Sequence, residues 1–276
     1  MPTANRFHLH LVSDATGETL TTIANAAVVQ FEGAEPVQHL WPMIRSRAQV
    51  STVLAGIEAD PGLVLFTLVD PTTRSALEEG CRKLNVSHLS AIDPVMMALR
   101  EFLGSAALGR PGTQHEMNTE YFERIEAMHY TLSHDDGQQV EDLDRADIVL
   151  VGVSRSSKTP TSMYLANRGL KVANVPMVPG VDLPEELFGL KYALVVGLTT
   201  APERLSQIRR NRLLSLKETQ TSEYADEERV REELVAAKRL FAKHRWPVID
   251  VTRKSIEETA AAILTLYQRR KGERSA

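Results

Sequence analysis

Two spacings of apolar residues alternate along this chain. Short runs rich in β-branched and other apolar residues indicate strands, and longer segments in which apolar residues recur every three or four positions indicate helices. The clearest predicted strands are residues 7–12, 63–69, 148–153 and 192–198. A helical pattern follows each of them. This alternation predicts βαβ units with parallel sheets and helices on both faces.

Weaker segments of the same two kinds fill the rest of the chain. Further predicted strands cover residues 37–41, 86–89, 171–177 and 247–251. The predicted helices cover residues 20–31, 46–58, 72–84, 118–132, 161–168, 202–216, 226–244 and 255–267. Ser255 and Glu258 have the spacing of a capping box, in which each side chain bonds the other residue's backbone N–H. We therefore predict a helix start at Ser255.

A segment at residues 103–113 divides the chain in two. It contains three glycines, one proline and few large apolar residues, which is typical of a linker. We predict an N-terminal α/β domain over residues 1–105, a linker with a connecting helix over residues 106–145, and a C-terminal domain over residues 146–276. The expected fold class is α/β, in two portions whose mainly parallel sheets are flanked by helices.

The composition argues against several classes of protein. Hydrophobic residues make up 43% and charged residues 25% of the 276 residues, as in globular proteins that fold around a core. The formal net charge of −4 argues against a dedicated nucleic-acid binder. No apolar run approaches the ~20 residues of a membrane span, and no leader pattern opens the sequence, so we expect a cytoplasmic protein. Cys81 is the only cysteine, and we predict that it is buried in a helix.

The strand at residues 148–153 leads into the strongest candidate for chemistry. Gly152, Lys158 and Thr159 match the first glycine, the lysine and the hydroxyl residue of the pattern G-x-x-x-x-G-K-[ST]. In such a Walker-A-like loop, backbone N–H groups and a helix N-terminus bind phosphate. Lys158 would reach the terminal phosphates of a nucleotide, and the Thr159 hydroxyl would bind Mg²⁺.

Two residues depart from that pattern. Ser157 replaces the second glycine, so a positive φ at this position would carry strain. Pro160 fits a helix only within the first turn, where a missing N–H costs no intrahelical bond. On this pattern alone, an ordinary polar loop between a strand and a helix is an equal alternative.

Polar residues also gather in two other loops. Ser13, Asp14, Thr16 and Gly17 follow the first predicted strand, where doubly wound sheets bind ligands, although helix capping is the commoner explanation. The sequence His134-Asp-Asp-Gly137 is either an exposed turn or an acidic group that faces the phosphate loop. Such a group would hold Mg²⁺ or accept a hydroxyl proton.

One pair of histidines and one group of arginines could each have either a binding role or a purely structural one. His8 and His10 lie on one face of a predicted strand, and we predict that they are packed or solvent-facing because no third metal ligand is evident nearby. The helix at residues 202–216 carries four arginines, which would either dock a phosphorylated partner or cover a solvated surface. These are Arg204, Arg209, Arg210 and Arg212.

Five segments together resemble the regulatory proteins of pyruvate, phosphate dikinase, a family of bifunctional serine/threonine kinases and phosphorylases. They are Ser13-Asp-Ala-Thr-Gly-Glu-Thr19, His134-Asp-Asp-Gly137, Gly152-Val-Ser-Arg-Ser-Ser-Lys-Thr-Pro-Thr161, Lys171-Val-Ala-Asn-Val-Pro176 and Trp246-Pro-Val-Ile-Asp-Val-Thr252, the last followed by Ser255-Ile-Glu-Glu-Thr259. The resemblance extends over almost the whole chain. A sister group acts on phosphoenolpyruvate synthase and tends to read Ser-Arg-Cys-Gly-Lys-Thr in this loop, whereas Ser156-Ser157 is similar to the dikinase group.

The resemblance implies two reactions on the dikinase as protein substrate. ADP donates a phosphate to a threonine of the dikinase and inactivates it, and inorganic phosphate later removes that phosphate and leaves as pyrophosphate. The nucleotide-binding segment of the family maps onto Gly152, Val153, Ser154, Arg155, Ser156, Ser157, Lys158 and Thr159.

The resemblance leaves the catalytic base open. We take Lys158, Thr159 and Asp14 as catalytic candidates, and Asp135, Asp136 and Asp182 are further candidates for the base. The competing interpretations are a non-enzymatic nucleotide-sensing regulator and a small-molecule kinase. We also expect residues 13–18 to face the phosphate loop across an interdomain cleft. The oligomeric state stays open, as does the use of one site or two for the two reactions.

Overall fold

The structure, a computed structural model, describes residues 5–112, 119–215 and 223–275. The chain divides into two compact units, Met1–Glu116 and Met117–Ala276. Each unit contains a four-stranded parallel sheet flanked by helices, which confirms the predicted α/β class. The ends of three predicted segments, at Thr113, Asn118 and Leu216, lie outside the described residues. No helix of the described ranges is long and apolar enough to cross a membrane.

The first unit follows the predicted order of strands and helices. Its elements are β1 (Asn5–Ser13), α1 (Glu18–Val28), β2 (Ala34–Trp41), α2 (Arg47–Ala59), β3 (Gly62–Thr67), α3 (Pro71–Lys83), β4 (His88–Ser90) and α4 (Asp93–Leu103). The strand order is β2-β1-β3-β4. Helix α4 was not predicted. None of its residues is buried, and most of its apolar side chains are exposed.

The second unit repeats this architecture. Its elements are α5 (Thr119–Ser133), β5 (Ile148–Val153), α6 (Lys158–Ala166), β6 (Val172–Met177), α7 (Glu185–Phe188), β7 (Leu194–Thr199), α8 (Pro202–Ser215), α9 (Glu227–Lys243), β8 (Val248–Asp250) and α10 (Ile256–Ser275). Short 3₁₀ helices cover Asp135–Gly137, Val140–Arg145 and Glu223–Ala225. The strand order is β6-β5-β7-β8. Helix α5, predicted as the connecting helix, packs against α6 and β6 of this unit.

Strand β5 is buried on both faces because it lies inside the sheet between two helical layers. Val149, Val151 and Val153 contribute to one apolar core, which includes residues of α8 and α9. Ile148 and Leu150 contribute to the opposite core, which includes residues of α6 and α10. All six residues of β5 are buried, as the continuous apolar run predicts. The buried strand fixes the position of the loop that follows it.

Each strand at a sheet edge is either short or contains a proline. β4 and β8 are three residues long, whereas β2 and β6 are longer and contain Pro36 and Pro176. Proline has no N–H to donate to a ladder, which suits it to edge strands.

Two smaller predictions are confirmed. Ser255 N donates to Glu258 Oε2 at 2.8 Å and Glu258 N donates to Ser255 Oγ at 3.1 Å, which is a capping box. Cys81 is fully buried in α3, and burial raises the pKa of its thiol to about 11.

Candidate functional site

The loop between β5 and α6 has the backbone geometry of a strained connection. Arg155 and Ser157 have φ values of 70° and 62°, a region that costs a non-glycine residue roughly 1–3 kcal/mol. Ser157 therefore takes the conformation that the second glycine of the phosphate-binding pattern would adopt without strain. Gly152 allows a close approach, since a Cβ there would lie 2.8 Å from Leu198 O. Strain of this kind persists where the surrounding structure enforces it, often at functional sites.

Helix α6 begins at Lys158, three residues earlier than predicted. Pro160 consequently lies in the first turn, where it is tolerated. The helix N-terminus thus starts directly at the end of the loop, and its free N–H groups and positive dipole end favour an anion there.

Lys158 is buried although it carries the positive charge expected of a phosphate ligand. Its side chain is folded onto the loop, where Nζ donates to Val153 O at 3.0 Å. Burial lowers the pKa of Lys158 to about 8, and the charges of Asp136 and Asp135 oppose that shift. A buried lysine that donates to a carbonyl gains a stronger partner when an anion enters the loop.

The Thr159 side chain contacts the acidic turn at Asp135–Gly137. Thr159 Oγ1 donates to Asp135 Oδ1 at 3.0 Å. Asn174 Nδ2, from β6, donates to both partners: to Thr159 Oγ1 at 3.0 Å and to Asp135 Oδ1. The segment at residues 134–137 is therefore a turn that also places an acidic group beside the loop. The two interpretations of its sequence are compatible.

His134 holds that turn in place through buried contacts. It is 2% exposed, with Nε2 2.5 Å from Asp142 Oδ1 and Nδ1 2.7 Å from Tyr130 O. Its ring stacks on Tyr130 with centroids 3.7 Å apart, and its carbonyl accepts the Asn174 backbone N–H at 3.0 Å. The hydrogen bond from His134 lowers the pKa of Asp142. The next residue, Asp135, is thereby held against β6.

Arg209 of α8 is a buried support of the loop, so both predicted alternatives, docking a partner and covering a solvated surface, are wrong for this residue. It is 1% exposed and forms a bidentate pair with Glu233 of α9, at 2.9 and 2.8 Å. The same guanidinium donates to Ser154 O at 3.3 Å and to Tyr224 O at 2.9 Å. Helical spacing alone could not separate it from Arg204, Arg210 and Arg212, which are exposed.

A cavity of about 560 Å³ lies beside the loop. Val153 at the end of β5 and Met177 at the end of β6 line it, together with Tyr224 and side chains of α9. Tyr224 also contacts the loop directly, because its hydroxyl lies 2.9 Å from Ser154 Oγ. The volume falls within the ~300–1,000 Å³ typical of small-molecule sites.

The polar loop of the first unit has its own internal bonds. Asp14 is 5% exposed and accepts the Val69 N–H at 2.8 Å, and burial raises its pKa. Thr67 Oγ1 donates to Ser13 Oγ at 3.0 Å. This loop borders a smaller cavity of about 130 Å³. The placement of Asp14 opposite the phosphate loop stays a prediction.

Comparison with known proteins identifies the family. A sequence profile described as kinase/pyrophosphorylase matches residues 9–264. A protein of Paramagnetospirillum magneticum is 58% identical over 95% of this chain and 85% of its own length. One of Bradyrhizobium diazoefficiens is 55% identical over 99% of both chains. Both carry the name "Putative pyruvate, phosphate dikinase regulatory protein". These matches span both units, and the chain therefore belongs to the kinase/pyrophosphorylase family.

Proposed function

We propose that this chain regulates pyruvate, phosphate dikinase through two opposed reactions. The first transfers the β-phosphate of ADP to a threonine of the dikinase and inactivates it. The second uses inorganic phosphate to remove that phosphate as pyrophosphate and restores the dikinase. The names of the relatives and the resemblance of five sequence segments support this assignment. The structural observation that carries it is the buried Lys158 at the start of α6, beside the Thr159–Asp135 pair.

Lys158 and the loop N–H groups would hold the phosphate that moves. Lys158 would exchange its bond to Val153 O for a phosphate oxygen, which is a stronger, charge-assisted partner. In the kinase reaction, the threonine oxygen attacks the β-phosphorus, the bond to the bridging oxygen breaks, and AMP leaves. Positive charge at this position stabilises the charge that develops on the transferring group.

Thr159 and Asp135 would hold Mg²⁺. Their oxygens lie 3.0 Å apart, close to the ~2.9 Å between neighbouring ligands in an octahedral site with bonds of 2.0–2.1 Å. A loop hydroxyl paired with an aspartate is also the donor set that holds Mg²⁺ in other phosphate-loop enzymes. Mg²⁺ bound there would neutralise charge on the phosphates. Asn174, 1% exposed, keeps Asp135 oriented toward the loop.

Asp136 is our assignment for the general base. Asp135 Oδ1 already accepts from Thr159 and Asn174, and Asp14 Oδ2 already accepts the Val69 N–H. Asp136 is exposed, and its charge acts on Lys158. Asp136 also has a φ of 52°, a strained backbone state typical of functional positions. It would accept the threonine hydroxyl proton as the oxygen attacks phosphorus.

The cavity beside the loop would receive the nucleoside of ADP. Val153 connects it to the phosphate loop, and Tyr224 offers an aromatic ring at its wall. Replacement of Tyr224 by alanine should weaken binding of ADP and leave binding of inorganic phosphate near its original strength.

The deciding experiment mixes the purified protein with the dikinase and ADP. Mass spectrometry should find a new phosphothreonine on the dikinase, and addition of inorganic phosphate should remove it and release pyrophosphate. Phosphoenolpyruvate synthase, tested in parallel, is the alternative substrate. Binding of ADP with no phosphothreonine on either protein would favour a non-enzymatic nucleotide sensor instead.

A further inference from the structure

Three side chains from separate segments of the first unit converge near the beginning of β1. His8 Nδ1 of β1 lies 2.8 Å from His39 Nε2 of β2. Asp60, which follows the last residue of α2, has a carboxylate oxygen 4.0 Å from His8 Nε2. Taking one ligand atom from each residue, all three atoms lie within 4.8 Å of one another. The expectation that no third metal ligand lies near His8 is therefore wrong. His39 and Asp60 are distant from His8 in sequence but adjacent to it in space.

We propose that His8, His39 and Asp60 form a binding site for a divalent transition-metal ion, with Zn²⁺ as the expected occupant. Two imidazoles and one carboxylate are borderline ligands that suit Zn²⁺ and leave a coordination position open. Two imidazole nitrogens in direct contact must share a proton. A metal ion would replace it, and Zn–N bonds of 2.0–2.1 Å would separate the nitrogens to about 3.3 Å in a tetrahedral site.

His10 supports this cluster from inside the protein. It is fully buried, its Nε2 lies 2.8 Å from Asp60 O, and its Nδ1 accepts the Trp41 Nε1 proton at 3.2 Å. The His39 ring stacks on both neighbouring histidines, with centroids 4.5 Å from His10 and 5.1 Å from His8. His10 thus holds both the backbone of Asp60 and the ring of His39. Such supporting contacts orient ligands in protein metal sites.

The chain also approaches β1 unusually closely just after Asp60. A Cβ at Gly62 would lie 2.1 Å from His8 O, so only glycine permits this approach. Pro61 restricts the conformation of Asp60 before it. The sequence Asp60-Pro-Gly62 therefore holds the carboxylate near His8. The ligand side chains are reachable from solvent, since those of His8 and Asp60 are 34% and 50% exposed.

Titration of the chelator-treated full chain with Zn²⁺ tests the site. Excess Mg²⁺ in the buffer occupies the hard-oxygen ligands of the second unit. Calorimetry should give about one Zn²⁺ per chain. His39→Ala and Asp60→Asn should each lower the affinity for Zn²⁺ about tenfold or more, because losing a ligand should cost at least as much as losing a residue that only orients a ligand. His88→Ala, which changes a histidine of β4 outside the cluster, is the matched control and should bind as the original protein does.

X-ray absorption on the Zn²⁺-loaded protein provides a second readout. It should show nitrogen and oxygen neighbours at about 2.0–2.1 Å with imidazole scattering. Asp60→Asn keeps the shape of a half-exposed side chain, so it remains a usable test if His39→Ala fails to fold. Zn²⁺ binding that is absent, or that is equal in Asp60→Asn and in the original protein, would overturn the proposal. The kinase and phosphorylase assignments rest on the second unit and would be unaffected.

Discussion

Thr159 donates its hydroxyl proton to Asp135 across 3.0 Å, although 24 positions separate the two residues in the sequence. The contact joins the start of α6 to the turn that precedes β5. It places a carboxylate beside the loop between β5 and α6, which lacks the second glycine of the phosphate-binding pattern. Three of the predictions below depend on this contact or on the neighbouring Lys158.

Asp135→Asn should raise the Mg²⁺ concentration required for both reactions by about tenfold or more, because asparagine lacks the charge that a hard cation needs. The measurement is a Mg²⁺ titration of phosphothreonine formation and of pyrophosphate release. Asp144→Asn, at an exposed aspartate in the adjoining 3₁₀ helix, is the control. An unchanged Mg²⁺ requirement in Asp135→Asn would remove this residue from the metal site.

Lys158→Ala should depress both reactions by about 10²-fold or more, the scale for losing one stabiliser of developing charge. Thr159→Val should depress both through Mg²⁺. This follows if one phosphate site serves both directions, with inorganic phosphate in the place that the α-phosphate of ADP vacates. Two separate sites predict that Lys158→Ala loses the kinase reaction and keeps the phosphorylase reaction. An unchanged circular dichroism spectrum confirms folding in either case.

ADP binding should weaken as the pH rises through about 8. Burial gives Lys158 a pKa of about 8, and phosphate binds the protonated amine, so affinity is full below this pH and falls above it. The last ionisation of a phosphate ester, near pH 6, lies below this window. Calorimetry from about pH 7 to about pH 9 measures how the affinity for ADP changes with pH. Lys158→Met should bind ADP weakly, and its affinity should not fall over this range. The same slope in Lys158→Met would assign the effect to another group.

Arg209→Met should lower the free energy of unfolding by about 3–5 kcal/mol, since it removes the buried partner of Glu233, whose side chain is only 14% exposed. Denaturant unfolding measures the change. Arg210→Met, one position along the same helix and exposed, should change stability by less than about 0.5 kcal/mol. Equal, small effects of the two changes would contradict the buried-support role.

Arg210→Glu tests the docking role that remains for the exposed face of α8. It should lower the rate of phosphorylation of the dikinase and leave ADP binding nearly unchanged, because surface charge acts mainly on association with the partner. Equal loss of phosphorylation and of ADP binding, with the fold intact, would mean that this helix serves the nucleotide.

Local patterns predicted most of the fold, and long-range contacts explain what they missed. The run Ile148–Val153 and the capping box at Ser255 each depend on neighbours in sequence, and both are present. The contact between Thr159 and Asp135 could not be foreseen from the sequence. The spacing of residues 134–137 is compatible both with an exposed turn and with an acidic group that faces the loop. Arg209 has the same local pattern as its exposed neighbours, and its burial depends on Glu233, 24 residues away.

The edge strands of both sheets disfavour pairing with another chain. The outer strands are either three residues long, as in β4 and β8, or interrupted by Pro36 and Pro176 in β2 and β6. An extended segment of another chain that approached any of these edges would find too short a ladder or a missing donor, which is how natural sheets resist edge-to-edge aggregation. The strands of this protein pair over long sequence separations, which is expected to make sheet formation slow, and the finished edges offer little to which another chain could pair.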